Sequence, residues 1–304
     1  MCRKTIARTV SCSGIGVHGG EEATVKLNPS ESSEGIVFVR TDLAEQVRIP
    51  ATYENIRSGI NATTIGGHGV SISTIEHLMA ALRAMDIDAV EVEVNGPELP
   101  IMDGSAAEFV SLIRSAGVRD LKGGRKWLVV EKPVTVNING SRAEIKPSSI
   151  PAVNCSIAYD HPFLRYQSRS VRICPEEFEN EIASARTYGF LEDVNRLHSM
   201  GLAKGGSLDN ALVLDSKGVV NDEGMRFQDE CVRHKILDVI GDMALTGLPV
   251  LGEVSCHKSG HSLSHKLINE LMSNPHCYRI VDESELGFNM PAPASDYEQV
   301  SSWA

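Results

Sequence analysis

Between residues 72 and 94 the apolar pattern changes its period. Ile72, Ile75, Leu78, Met79, Leu82 and Met85 recur at helical spacing, and directly after them Val90, Val92 and Val94 alternate with Glu91 and Glu93. Apolar residues three and four apart make one face of an α-helix, whereas strict alternation makes a strand with one buried face. The pair is a helix laid on a sheet. Ser71 or Ser73 is expected to cap that helix.

The rest of the chain extends this grammar. TVSCSGIGVH, ATVKLNP and GIVFVR precede the helix as β-prone runs, and GGHG at 66–69 reads as a turn. AAEFVSLIRSAG follows the alternating strand as a second helix, capped by Ser105 and ending near Gly117. LKGGRK at 121–126 is Gly-rich, basic and poor in apolar residues, as a linker would be. Beyond it come the strands WLVVEKPVTVN, RAEIKP and AVNCSIAY, and a short helix, PEEFENEIASA, with Pro in its first turn. A long helix, RFQDECVRHKILDVIGDMALTG, carries Ile236, Val239, Ile240 and Met243 on one face. The strand VLGEVSC and a last helix, SLSHKLINELM, complete the order.

Each half therefore runs from strands to helix, strand and helix, and 304 residues at roughly 150 per domain suit two such units. The expected fold is α+β: two similar domains, each a mixed or antiparallel sheet with helices on one face, packed helix layer to helix layer. The boundaries expected are 1–120, a linker at 121–126, a second domain at 127–290, and a loosely held tail at 291–304.

Composition removes several functions. With 42% hydrophobic and 23% charged residues the chain is not disordered. Forty acidic against 29 basic residues leave a charge of −11, so a general nucleic-acid partner is excluded. No apolar run reaches the ~20 residues of a membrane span, and MCRKTIARTV lacks the apolar stretch of a secretory signal. Seven scattered cysteines suit free thiols in a reducing compartment, so a cytoplasmic protein is expected.

Three places hold residues with chemical potential. Glu76 and His77 point about 110° and 150° from the apolar stripe of their helix, outside their own domain's core. In such a pair one residue can ligate a metal while the other handles water. His234, Asp238 and Asp242 stand at i, i+4 and i+8, one row on the long helix, and a His and an Asp one turn apart can grip a single cation. His257, His261 and His265 also recur every fourth residue, but Gly260 breaks the run and puts His261 at a helix start. Cys231 and His234 form a CxxH with no second pair at finger-like spacing, which argues against a zinc finger. On these residues alone, a metal-dependent hydrolase and a non-catalytic ligand-binding protein both stand. The choice turns on whether the helices carrying His77 and His234 meet.

The motifs taken together say more. STIEHLMAAL, NGPELPIMDGSAAEF, ARTYGF, GGSLDNALVL, NDEGMRFQDECVRHKILDVIGD and HKSGHSLSHKL, in this order, resemble the UDP-3-O-acyl-N-acetylglucosamine deacetylases, zinc enzymes of bacterial lipid A biosynthesis. The resemblance covers nearly the whole chain, from SGIGVH to the last helix, and six long motifs at the right separations are specific. It implies two α+β domains, each with a small insert, and a zinc ion held by His77, His234 and Asp238, with Fe(II) a possible substitute. Glu76 matches the general base and His261 the second proton-transfer group. Asp242 would hydrogen-bond His261 and raise its pKa, and Thr187 would donate to the oxyanion.

Lys235, and more weakly Lys258, match the contacts to a nucleotide diphosphate. Phe190 and Tyr188 fall at aromatic positions near the sugar and uracil; many members have Phe where this chain has Tyr188. The insert at about 190–213 resembles one that shapes an acyl-chain passage, lined here by Leu191, Val194, Ala203, Ser207 and Val213, with Asn210 an unusually polar neighbour. The implied activity is removal of acetate from the N-acetyl group of UDP-3-O-acyl-N-acetylglucosamine by a monomer acting on a small-molecule substrate.

Overall fold

The computed structural model describes residues 2–286, so the expected tail at 291–304 lies outside the described residues. The alternating strand Val90–Val94 takes the central place in a five-stranded sheet, in the order Val10–Ile15, Glu22–Pro29, Val90–Val94, Ile36–Arg40, Val47–Pro50. Two consecutive hairpins form its outer pairs. The last-made strand runs between them, antiparallel to Glu22–Pro29 and parallel to Ile36–Arg40.

A second five-stranded sheet repeats this plan. Its order is Val134–Ile138, Ser141–Lys146, Glu253–His257, Ala152–Ala158, Tyr166–Arg172. Again two hairpins flank a late strand, antiparallel to one neighbour and parallel to the other. Two sheets with one connectivity give the repeated element order a structural basis, and the fold is α+β as the periodicities require.

The helices follow the same repeat. α1 (Glu76–Ala84) precedes the central strand of the first sheet and α2 (Ala107–Ala116) follows it. In the second half α3 (Pro175–Glu177) and α4 (Val194–Ser199) are short, α5 (Glu230–Met243) precedes the central strand and α6 (His261–Met272) follows it. Each half also carries an insert between its fourth strand and its first long helix. The first insert is a three-stranded antiparallel sheet of Ile56–Ser58, Thr64–Gly67 and Val70–Ile72. Its last turn is the GGHG segment, where His68 and Gly69 stand at φ 52° and 76°, the pair of positive values that a tight hairpin turn of this hand requires. The second insert contains α4 and the strands Tyr188–Phe190, Leu212–Asp215 and Gly218–Val219.

α1 and α5 pack against each other, and this contact decides what the polar residues become. Every residue of α1 is buried, Glu76 and His77 included. The stripe of Leu78, Met79 and Leu82 belongs to the core, and the opposite face is covered by α5, itself buried at all but one residue. A face that the helical wheel leaves outside its own core is here a face between two halves.

Three local expectations need correction. Neither Ser71 nor Ser73 caps α1: Ser71 lies in a strand, Ser73 gives its hydroxyl to the Pro97 carbonyl, and the helix begins at Glu76. The long helix starts at Glu230 and not at Arg226, because the Arg226 amide is bound by the Glu230 carboxylate and its guanidinium by Asp103 and Ser184. The stretch 121–126 is more ordered than its composition suggests: residues up to Gly124 close one strand and Lys126 opens the next. Val118–Gly124 pairs with Cys2–Ile6, Lys126–Val130 pairs with Tyr278–Asp282, and the change of partner falls at Arg125.

Candidate metal centre

α1 contributes His77 and α5 contributes His234 and Asp238, and their ligand atoms all lie within 4.8 Å of one another. His234 Nε2 is 3.3 Å and His77 Nε2 3.8 Å from Asp238 Oδ1, and the two imidazoles stand nearly perpendicular with centroids 4.9 Å apart. His234 Nδ1–H donates to the Ala185 carbonyl at 3.0 Å, which directs the Nε2 lone pair at the group. Asp238 Oδ1 is buried and has no hydrogen-bond partner among the described residues, and neither has His77 Nδ1. A buried carboxylate oxygen without a donor is costly unless a cation completes it. The donor set, two imidazoles and one carboxylate, fits a first-row dication such as zinc with a coordination position left over.

The charges agree with that reading. Burial pushes His77 down to about 3, aided by His234 and opposed by Asp238. Burial also lowers His234, so both rings are neutral donors. Burial acts to raise Asp238, but His234 and the Lys235 ammonium outweigh it and keep the carboxylate ionised. Lys235 Nζ bonds Asp238 Oδ2 at 2.8 Å and lies 5.3 Å from the centre of the Tyr188 ring.

Beside these three, Glu76 Oε1 faces His261 Nε2 at 3.4 Å, and His261 Nδ1 is 3.0 Å from Asp242 Oδ2. Burial raises Glu76 to about 7, with help from Asp238 and Asp242 and against His261. His261, which burial alone would lower, is raised to about 10 by the carboxylates of Asp242 and Glu76. Burial pulls Asp242 up, yet His261 and His265 hold it well below the usual carboxylate range. A carboxyl poised near neutrality, facing an imidazolium, is a base and an acid in one pair.

The remaining expected residues have contacts of their own. Thr187 is tied by its backbone to Gly104 and Leu212, and its hydroxyl makes no hydrogen bond to another described residue. Tyr188 meets the His234 ring edge-on at 6.4 Å and shares a hydrogen bond with the Tyr159 hydroxyl at 2.8 Å. Phe190 packs on Tyr159 and His161. Lys258 is exposed at the end of a strand, 2.9 Å through its amide from the Ser156 carbonyl. In the insert Leu191 and Ser207 are exposed, whereas Val194, Ala203 and Val213 are half-buried.

Asn210 is no part of an open wall. It is buried, donates to the Gly205 carbonyl and accepts from the Ser207 amide, and so braces its own loop. Gly205 has a packing reason too: a Cβ there would stand 2.3 Å from the Gly16 carbonyl, where the insert touches the first half. Sequence reasoning also missed Thr63, a buried residue between Glu76 and Asp242, and Glu98, which binds the amides of His18 and Gly19. His265, set aside as one of three spaced histidines, lies against Thr63 at 3.0 Å. Its position one turn after His261 was the available signal; Thr63 offered none.

Fold and site define a class: a repeated α+β protein whose two halves meet at two histidines and one aspartate that could hold a metal ion, with a carboxylate and an imidazole beside them. The family model described as UDP-3-O-acyl N-acetylglycosamine deacetylase matches residues 3–273. Curated relatives named UDP-3-O-acyl-N-acetylglucosamine deacetylase include one from Myxococcus xanthus, 46% identical over 97% of this chain and 96% of its own length. Another, from Citrifermentans bemidjiense, is 48% identical over 95% of each chain. A third, from a Geobacter species, is 47% identical over 95% of each. The chain belongs to the UDP-3-O-acyl N-acetylglycosamine deacetylase family and is a hydrolytic deacetylase.

Proposed function

We propose that this chain removes acetate from the N-acetyl group of a UDP-linked, 3-O-acylated glucosamine, with zinc held by His77, His234 and Asp238. The observation that carries the reading is the buried, unpartnered Asp238 Oδ1 facing two neutral imidazoles. Zinc, when bound there, supplies a Lewis acid that acidifies water and polarises the amide carbonyl; Fe(II) suits the same donors. Glu76 takes the proton of the attacking water. His261, kept as imidazolium by Asp242, gives a proton to the departing nitrogen. The Thr187 hydroxyl donates to the oxyanion.

The substrate is held by residues spread around this centre. Lys258 and Lys235 meet the diphosphate, Lys235 from its place on Asp238, and the aromatic pair Tyr188 and Phe190 receives the sugar and uracil. Leu191, Val194, Ala203, Ser207 and Val213 line the acyl passage. The working unit is a cytoplasmic monomer of two domains, 1–120 and 127–290. In support, all seven cysteines are free thiols, and among the described residues no helix is long and apolar enough to cross a membrane.

The test is metal content measured on purified protein together with acetate release from the acylated UDP-sugar. About one zinc or iron per chain is expected, with activity lost on chelation and restored by metal. Full turnover in verified metal-free protein overturns the reading.

A further inference from the structure

Thr63 immediately precedes the strand Thr64–Gly67 of the first insert and is fully buried. Its amide donates to Glu76 Oε2 at 3.1 Å. Its hydroxyl lies 2.5 Å from Asp242 Oδ1 and 3.0 Å from His265 Nε2. Asp242 is a carboxylate and accepts, so the hydroxyl proton goes to Asp242 and the hydroxyl oxygen is left to accept from His265 Nε2–H. His265 is therefore the outer support of a directed chain, His265 to Thr63 to Asp242, and its Nε2 also faces Asp242 Oδ1 directly at 3.6 Å. From the other side Asp242 accepts from His261 Nδ1, and His261 Nε2 faces Glu76. One residue thus touches both carboxylates that flank His261, one on α1 and one on α5.

We infer that Thr63, seated by His265, is a positioning residue for the reaction: it fixes the separation and orientation of Glu76 and Asp242, so that His261 is aimed at the reacting atoms. The inference rests on the proposed roles of Glu76 and His261. Neither Thr63 nor His265 reaches the His77–His234–Asp238 group by a hydrogen bond, so loss of either support should leave metal binding intact. Partners that orient a working group from behind typically change activity by about 10–100-fold when removed.

The experiment uses the metal-loaded enzyme and four variants. Thr63→Val keeps the side-chain shape and removes the hydroxyl; Thr63→Ser keeps the hydroxyl. His265→Gln keeps an N–H near the Nε2 position; His265→Leu does not. Thr63→Val and His265→Leu should lower kcat by about 10–100-fold, with KM and metal stoichiometry unchanged. Thr63→Ser and His265→Gln should recover most of the loss. A merely structural role would lower Thr63→Ser and Thr63→Val alike, or lower the fraction of folded, metal-loaded protein without changing kcat per active site; either result overturns the inference. Wild-type kcat in Thr63→Val also overturns it. Glu76→Gln serves as the control for the underlying reading: if that variant turns over normally, the assignment of the base fails, whatever Thr63 does. Should Thr63→Val not fold, the His265 pair alone decides, since His265 borders an open cavity of about 400 Å³ shared with Arg57, Ser58 and Lys266.

Discussion

Gly241 lies against Glu76 so closely that a Cβ at Gly241 would stand 2.1 Å from the Glu76 carbonyl oxygen. The residue that brings the two halves into register is thus one turn from Asp238, immediately before Asp242, and its contact is the helix turn carrying the proposed base. Both constraints fall on one backbone.

Gly241→Ala should therefore force α1 and α5 apart. The added methyl meets backbone and not a flexible side chain, so the loss should reach or exceed the roughly 1–3 kcal/mol of ordinary overpacking. Urea denaturation of the two proteins checks this, and metal content should fall with stability because the three proposed ligands come from both helices. An unchanged midpoint would refute the close packing.

Removing one ligand should separate metal loss from loss of chemistry. Asp238→Ala leaves two histidines and an uncompensated Lys235, and is expected to lose stoichiometric metal and all measurable turnover. Glu76→Ala and His261→Ala should keep their metal while kcat falls on the order of 10²–10⁴, the range for general acid–base groups. Metal lost from Glu76→Ala would make Glu76 a ligand.

The pH profile has a definite sign on each side. The proposed base, Glu76, must be ionised to take a proton, so activity should rise as pH climbs through its metal-free value of about 7. The proposed acid, His261, must be protonated to give a proton, so activity should fall as pH climbs through about 10. In the metal-loaded enzyme a dication beside Glu76 would favour its ionised form, so there the acid limb is expected below 7. Measured kcat/KM against pH should be bell-shaped, and a flat alkaline side in the wild type would remove His261 from the acid role.

An acyl passage makes its own demand. Burying about six methylenes at roughly 0.8 kcal/mol each supplies ~5 kcal/mol before the cost of ordering the chain. Part of that binding energy positions the amide, so UDP-N-acetylglucosamine lacking the acyl group should be turned over at least ~10³-fold less efficiently, in kcat as well as KM. Ala203→Trp should hurt the acylated substrate far more than the bare one, but Ala203 stands at φ 55° and tolerates a large residue poorly. Val213→Trp, in a regular strand, is the cleaner block. Comparable kcat/KM for the two substrates would exclude the passage.

Much of this was legible in periodicity. The alternation at Val90–Val94 gives a strand, the stripe at Leu78–Met79–Leu82 gives a helix on a sheet, and the order of elements gives the repeat. The wheel also showed that His77 and Asp238 sit off their own apolar faces, but not that those faces meet, because packing between halves leaves no period in either one. Thr63 was invisible for a related reason: its amide reaches Glu76, while its hydroxyl reaches Asp242 on a helix far along the chain. Asn210 was misread because a loop brace looks, in sequence, like one polar residue beside an apolar wall. At 121–126 glycine and charge suggested a linker, and composition could not show that strands run up to Arg125 from both sides, because their partners lie far along the chain.

The shared strand order also sets a timetable for synthesis. In each sheet the central strand is the last to leave the ribosome: Ala152 must wait for Glu253 and Ile36 for Val90 before neighbours meet. Until then each half-sheet is a pair of hairpins with open inner edges, the kind of edge that recruits other chains. The first sheet can close once residue 94 has emerged, so α1 spends the translation of the second half with Glu76 and His77 uncovered. A chain released before residue 253 would carry three of the proposed catalytic groups on one helix, α5, with no sheet able to close beneath it.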